Sequence, residues 1–362
     1  TNHVMETEFR NFCFSGNQER VQEILSQGYI DVNSQDENGH SGLHLACFQG
    51  HSNVIRYLIA DERVNVNIQE HGGRTPLHIA CWVGYWDILI SLLDREDINL
   101  NIQDEKMNSP LHLAAIKERK EFIEILLLEP TIEVNLQNEE GSTALMLCCE
   151  RDYLECIQVL TSSPNIDMNL LDSSNRTAIS IAILHQNQEV VEFLLQDKRI
   201  DINKAGNSDK ITPLHLSVLS KEPVMTRMLL TRDDIDVNKR DSFGKTPLHA
   251  ACFVEDLEIV NILIDDKRTN SMIEDFSNET PLHTSCQGSN IEILQTLLSL
   301  PNITFSNYIL EECIELLEEN EEIDKEEGII LLDSKIHSNV ITRQQIIIKS
   351  FFTYCIGSFL IG

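Results

Sequence analysis

Apolar residues along the chain fall in short quartets at i, i+1, i+4 and i+5: Ile88, Leu89, Leu92 and Leu93; Phe122, Ile123, Leu126 and Leu127; Val190, Val191, Leu194 and Leu195; Ile259, Val260, Leu263 and Ile264; Ile293, Leu294, Leu297 and Leu298. That spacing lays four side chains on one helical stripe, the kind that faces a core. A shorter apolar run precedes each quartet, as Leu77, Ile79, Ala80 and Cys81 precede Ile88, and predicts a first helix packed against the second. Between helix pairs lie polar stretches carrying Gly39, Gly73, Gly141, Gly244, Asn175 or Asn278. Gly and Asn tolerate positive φ, so a tight turn belongs there.

The predicted first helices share an opening. It reads Ser41-Gly42-Leu43-His44, Thr75-Pro76-Leu77-His78, Ser109-Pro110-Leu111-His112, Thr143-Ala144-Leu145-Met146, Thr177-Ala178-Ile179-Ser180, Thr212-Pro213-Leu214-His215, Thr246-Pro247-Leu248-His249 and Thr280-Pro281-Leu282-His283. The steps are 34, 34, 34, 34, 35, 34 and 34 residues. Thr75 can cap a helix N-terminus through its hydroxyl, and Pro76 suits the first helical position, where its missing N–H is no loss. Gly84 is placed to end that helix, and Pro130, Pro164 and Pro301 stand just beyond second helices. A period of this length implies a stacked array in which each unit touches only its neighbours.

Helix, turn, helix and a turn carrying Thr-Pro-Leu-His resembles the ankyrin repeat family over about residues 7 to 305, with five full Thr/Ser-Pro-Leu-His copies in register. The resemblance implies an all-α repeat solenoid of stacked helix-turn-helix units with β-hairpin tips. Nine units are expected, starting at Thr7, Ser41, Thr75, Ser109, Thr143, Thr177, Thr212, Thr246 and Thr280. The first lacks the tetrapeptide but keeps Cys13, Gly16, Val21, Ile24 and Leu25 at the expected offsets. The organisation expected is an array over 1–305, a degenerate capping helix over 306–320, and an acidic linker with an apolar tail over 321–362.

The departures are informative. The fourth-position histidine is lost at Met146 and Ser180, and the cap glycine gives way to Glu118, Asp152, Gln186, Lys221, Glu255 and Ser289. The middle of the array should therefore be locally less stable than its start. One extra residue in Lys204 to Ile211 should make that tip irregular.

The formal charge of −30 excludes nucleic acid as an expected partner, because phosphate binding needs a basic face, and favours basic protein partners. Glu311 to Glu327 holds ten carboxylates against Lys325, which reads as a solvated, mobile block. Thr1 to Arg10 holds no apolar run of the signal-peptide kind, and the chain starts at Thr1 rather than Met, so a fragment is the expectation. The apolar stretch Ile346 to Gly362 is shorter than the roughly 20 residues of a membrane span, so membrane insertion is not expected.

Twelve histidines and ten cysteines suggest metal until the register is applied. His44, His78, His112, His215, His249 and His283 share one repeat position; Cys13, Cys47, Cys81, Cys149, Cys252 and Cys286 share another. Equivalent points on stacked helices lie about 8–10 Å apart. Zinc needs ligands at about 2.0–2.3 Å, and a disulfide needs Cα atoms closer than about 7 Å. The cysteines therefore read as small core residues and the histidines as partners of the turn backbone. Reduced thiols fit the cytoplasm, with the nucleus as the alternative. Neither a Gly-rich phosphate loop, an H-E-x-x-H nor a G-x-S-x-G motif is present, so no catalytic residue, metal or cofactor is expected.

Asn33, Asn67, Asn101, Asn135, Asn169, Asn203 and Asn238 also share one position, which turn chemistry explains. The resemblance adds another reading: ankyrin asparagines here are substrates of the factor-inhibiting asparaginyl hydroxylase, and Asn33, Asn203 and Asn238 carry its preferred context.

The function these features imply is a non-catalytic protein–protein interaction scaffold that binds a partner on the concave surface formed by hairpin tips and first helices. Phe48, Trp82, Ile116 and Phe253 are the candidate apolar anchors; Asp36, Glu37, Glu70, Asp104 and Glu105 are candidate contacts for a basic partner. The alternative is a regulatory or targeting region of a larger protein, such as an ion channel, kinase or ubiquitin-ligase component. A monomer is the default expectation; the sequence does not fix the oligomeric state.

Overall fold

A computed structural model describes residues 2–206, 208–301, 303–319 and 326–339. Every regular element among them is a helix. The chain divides into two compact units, Thr1–Ile200 and Asp201–Gly362. Among the described residues the first unit holds six helical hairpins, from Asn2–Ser15 with Gln18–Gln27 to Ala178–Leu184 with Gln188–Leu195. The second holds four, from Pro213–Leu219 with Pro223–Leu230 to Asn307–Glu319 with residues 326–339.

Within each unit, first helices pack on neighbouring first helices, and each also packs on its own second helix. The second-helix stripe is buried: Ile88, Leu89 and Leu92 are fully enclosed, as are Val190, Val191 and Leu194. All nine described cysteines are buried and reduced. Burial raises the Cys13 thiol to about 12 and pushes Cys47, Cys81, Cys149 and Cys252 upward as well.

The repeated tetrapeptide makes a reciprocal cap. The Thr75 hydroxyl accepts the His78 N–H at 3.4 Å while His78 Nδ1 accepts the Thr75 N–H at 3.0 Å. His78 Nε2 then reaches 2.9 Å to the carbonyl of Asn108 in the next repeat. His44 bonds Arg74 at 3.1 Å, His112 bonds Ser142 at 2.9 Å, His215 bonds Lys245 at 3.1 Å and His249 bonds Glu279 at 3.0 Å in the same way. Each histidine thus caps its own helix and bolts it to the following repeat. Met146 keeps a weak form of the cap, with the Thr143 N–H 3.5 Å from its sulfur, and has no second ring nitrogen with which to reach onward.

The turn before each cap helix uses a left-handed residue two positions ahead of the capping Ser or Thr. Besides the expected Gly and Asn, Met107 (φ 58°) and Lys210 (φ 53°) take this conformation. At the far end of the first helices, Gly16, Gly50 and Gly84 are left-handed, and so are their replacements Glu118 (φ 54°), Asp152 (61°), Gln186 (58°), Lys221 (55°) and Glu255 (56°). A side chain in this region costs about 1–3 kcal/mol, so the replacements store strain. At the Ser289 site the chain differs: Gly288 is extended, with φ −84° and ψ −174°.

Two terminal features depart from expectation. The first helix begins at Asn2 and runs through Thr7, whose hydroxyl donates back to the His3 carbonyl at 3.0 Å instead of opening the helix. At the other end, the helix Asn307–Glu319 falls within the 306–320 read as a capping helix and buries Leu310, Cys313 and Leu317, so the carboxylates Glu311 to Glu319 belong to a packed helix rather than to a mobile block. Residues 326–339 form a partner helix that buries Leu332. A Cβ on Gly328 would come within 2.8 Å of Leu317, so glycine permits the close approach. Lys335 donates to the Leu298 carbonyl at 2.8 Å and Asn339 to that of Phe305 at 3.0 Å. The apolar stretch Ile346 to Gly362 lies outside the described residues, as do residues 320–325 within the acidic block.

Candidate partner-binding face

The tips are single turns closed by one residue. The Asp36 carboxylate accepts from the Asn38 and His40 N–H groups at 2.9 and 2.8 Å, and Asp104 accepts from Lys106 and Asn108 at 2.9 and 2.8 Å. Glu70, one methylene longer, does the same for Arg74 at 3.0 Å, and its side chain is only 8% exposed. Burial pushes the Asp36 and Glu70 pKa values up, but the turn N–H groups outweigh it and hold both carboxyls below their ordinary range. Asp36, Glu70 and Asp104 therefore bend back into their own turns, while Glu37 and Glu105 stand outward and exposed.

Neighbouring tips are bonded to one another. The His71 N–H donates to the Asn38 carbonyl at 3.1 Å, Glu105 to Gly72 at 3.0 Å and Glu139 to Lys106 at 2.9 Å. A second rung comes from the repeated asparagines. Asn33 donates from Nδ2 to the Arg63 carbonyl at 2.8 Å and accepts from the Asn65 N–H at 2.7 Å. Asn203 bonds Asp234 and Asp236 at 2.8 and 2.7 Å, and Asn238 bonds Arg268 and Asn270 at 2.8 Å each. Each amide is a clamp between successive repeats, a role that turn propensity alone does not reveal. An enzyme acting on Asn33, Asn203 or Asn238 must first draw the amide out of this clamp.

Trp82, at the end of Pro76–Val83, is 41% exposed and borders a pocket of about 320 Å³. Leu113 and Ile116 contribute its apolar lining; Arg74, Glu105 and Lys106 come from the tips. The Lys117 ammonium sits 3.8 Å from the centre of the Trp82 ring, a cation–π contact. Phe48, at the equivalent position one repeat earlier, is half-buried and packs edge-on against His40 with ring centres 5.6 Å apart. Phe253, in the second unit, is 70% exposed. Register alone does not distinguish Phe48, which is engaged within its own repeat, from Trp82, which borders open space.

Among the described residues no group of three or more His, Cys, Asp or Glu could hold a metal ion. Outside the shared cysteine register, the Cys313 thiol hydrogen-bonds to that of Cys286 in the preceding hairpin, and this contact together with burial pushes Cys313 upward. Cys148 and Cys156 are similarly bonded within one hairpin.

Capped helix pairs bolted through histidine and asparagine, with tips joined edge to edge, define a stacked helical repeat protein. A family model described as ankyrin repeats (three copies) matches residues 11–104, 97–172, 164–241 and 225–308, and the chain belongs to the ankyrin repeat family. It is similar to the crystal structure of the ankyrin repeat domain of Bcl-3, described as a unique member of the IkappaB protein family, at 26% identity and a TM-score of 0.58. That similarity covers 63% of this chain and 99% of the other. No curated protein matches the chain. Ankyrin repeats are generally protein–protein interaction modules, typically without catalysis. No helix among the described residues is long and apolar enough to cross a membrane.

Proposed function

We propose that the chain is a non-catalytic scaffold whose first unit binds a protein partner through the Trp82 pocket. The observation that carries this reading is a large aromatic ring left 41% exposed beside a pocket of about 320 Å³. Binding energy concentrates where such a ring is covered by a partner side chain. The pocket has room for one bulky side chain, with Leu113 and Ile116 available for apolar contact.

The outward carboxylates Glu37, Glu105, Glu139 and Glu140 on neighbouring tips favour a basic partner segment, against the exposed cations Arg74 and Lys106 on the tips and Lys117 over the Trp82 ring. Reduced cysteines support a reducing compartment, and we place the protein in the cytoplasm; fractionation of the tagged chain into an oxidising compartment would refute that placement. The test of the binding reading is affinity capture with the intact chain, followed by titration of the purified captured protein at rising salt. Affinity through acidic tips should fall steeply with salt. A salt-insensitive partner, or one that binds equally after Glu105→Lys, would contradict the basic-partner reading.

A further inference from the structure

In a stack of repeats each joint is held only by the two hairpins that share it, so one joint can be weighed against another. The seventh and eighth hairpins reach forward through His215 and His249, which meet backbone carbonyls at 3.1 and 3.0 Å. His283, in the ninth, meets the Glu312 side chain instead, at 3.3 Å, and that carboxylate is 38% exposed. Arg268 spans the Leu230 and Arg232 carbonyls at 2.8 Å each and pairs with Asp266. At the last joint Lys335 makes one such bond, to the Leu298 carbonyl at 2.8 Å. Asn238 clamps Arg268 to Asn270, whereas Met272, one repeat on, has no amide with which to do so. The hydroxyls of Ser271 and Thr284 are buried with no hydrogen-bond partner among the described residues, and each is an uncompensated cost.

The last joint is also open along one side. The tip of the ninth hairpin is tied backward, since the Phe276 N–H donates to the Phe243 carbonyl at 3.0 Å, with both rings 66% exposed. Ahead of that tip, between it and Asn307–Glu319, lies a cavity of about 420 Å³. Glu274, Glu279, Glu312, Glu315 and Glu319 line it, and among the described residues no lysine or arginine does. The cations of this tip are engaged elsewhere: Arg240 lies 5.6 Å from the centre of the Phe276 ring and is anchored by the Glu274 carbonyl, and Lys245 faces Asp275 at 3.6 Å. Carboxylates on both sides of the gap therefore repel one another.

Burial of Leu310, Cys313, Leu317 and Leu332 holds the terminal hairpin closed, together with the Lys335 bond, the Asn339 bond to the Phe305 carbonyl at 3.0 Å and the contact of the Cys313 thiol with that of Cys286. Its own two helices are joined by the close approach of Gly328 to Leu317. We infer that the terminal hairpin, Asn307–Glu319 with residues 326–339, is a detachable cap: it opens as one body from the ninth hairpin while the eighth and ninth stay stacked. Opening uncovers Cys286 and Cys313 together, because each covers the other when the joint is closed. This device does not depend on the Trp82 pocket.

The test is alkylation of the folded, intact chain by N-ethylmaleimide, quenched at intervals and mapped by peptide mass spectrometry. All three thiols to be compared, Cys252, Cys286 and Cys313, are buried. Cys286 and Cys313 should be modified together, at least about tenfold faster than Cys252 in the eighth hairpin. Lys335→Ala should speed both by about threefold or more and leave Cys252 unchanged. If Lys335→Ala is unfolded by circular dichroism, Glu315→Gln decides: loss of one exposed carboxylate from the cavity should slow both by about twofold. The inference fails if Cys252 keeps pace with the other two, if Cys313 reacts without Cys286, as fraying of one helix would give, or if the deciding variant leaves both rates unchanged.

Discussion

His78 Nε2 lies 2.9 Å from the Asn108 carbonyl oxygen, while Nδ1 of the same ring accepts the Thr75 N–H. An imidazole that accepts at one nitrogen and donates at the other is neutral, so one ring caps a helix and ties two repeats together only in that form. Replacing the equivalent His112 by Ala should destabilise the protein by about 2 kcal/mol, since both bonds are lost in a buried setting. Met146→His should do the reverse, gaining about 1 kcal/mol by reaching the Arg176 carbonyl. Urea unfolding of both variants reads the two signs.

The same chemistry sets a pH dependence. Burial lowers His44 to about 4 and also lowers His78, His112, His215 and His249. In the unfolded chain these rings titrate near 6.5. Between about 6.5 and 4 the unfolded state therefore binds more protons than the folded one, and stability falls as pH falls. The carboxylates lowered in the fold, such as Asp36 and Glu70, contribute a further loss only at lower pH. Thermal midpoints should begin to drop just below pH 6.5, and the drop should be shallower in His44→Gln.

The left-handed cap residues give a paired test. Glu118→Gly should stabilise by about 1 kcal/mol by removing strain at φ 54°. Glu255 sits at φ 56°, but its carboxylate also accepts the Ser289 N–H at 2.9 Å and the Ser289 hydroxyl at 2.5 Å. Glu255→Gly should therefore gain nothing. Equal stabilisation at both sites, measured by denaturant unfolding, would show that the carboxylate bonds contribute little.

The asparagine clamps should matter to stability and not to binding. Asn67 donates to the Asp97 carbonyl and accepts from the Asn99 N–H, each at 2.7 Å. Asn67→Ala should cost about 1–2 kcal/mol. Hydrogen exchange should show faster opening of the backbone near Asn99, with partner affinity unchanged in the folded protein.

The frame was legible because its chemistry is local. Thr75, Pro76 and His78 cap a helix within four residues, so spacing alone locates them. Side-chain direction at the tips was less legible: Asp36, Glu70 and Asp104 look like surface charges until the turn N–H groups claim them. Phe48 and Trp82 are equivalent in register, and their neighbours separate them: the His40 ring packs on Phe48, while Trp82 carries Lys117 and borders the pocket. Phe243 and Phe276 sit on tips, where turn chemistry gives an aromatic ring no periodic signal to mark its exposure. The helix over 326–339 is not legible in an acidic composition, because its packing depends on the close approach of Gly328 to Leu317. The Cys286–Cys313 contact is not legible in the sequence, because Cys313 lies outside the register that Cys13, Cys47, Cys81, Cys149, Cys252 and Cys286 share.

Residues that repeat should hold the frame, and those that do not should bind. Trp82→Ala tests this most directly, by partner titration alongside thermal unfolding of the same preparation. The expected result is affinity at least about tenfold weaker with an unchanged unfolding midpoint. Unchanged affinity with a lowered midpoint would make Trp82 part of the frame and contradict the proposed binding site.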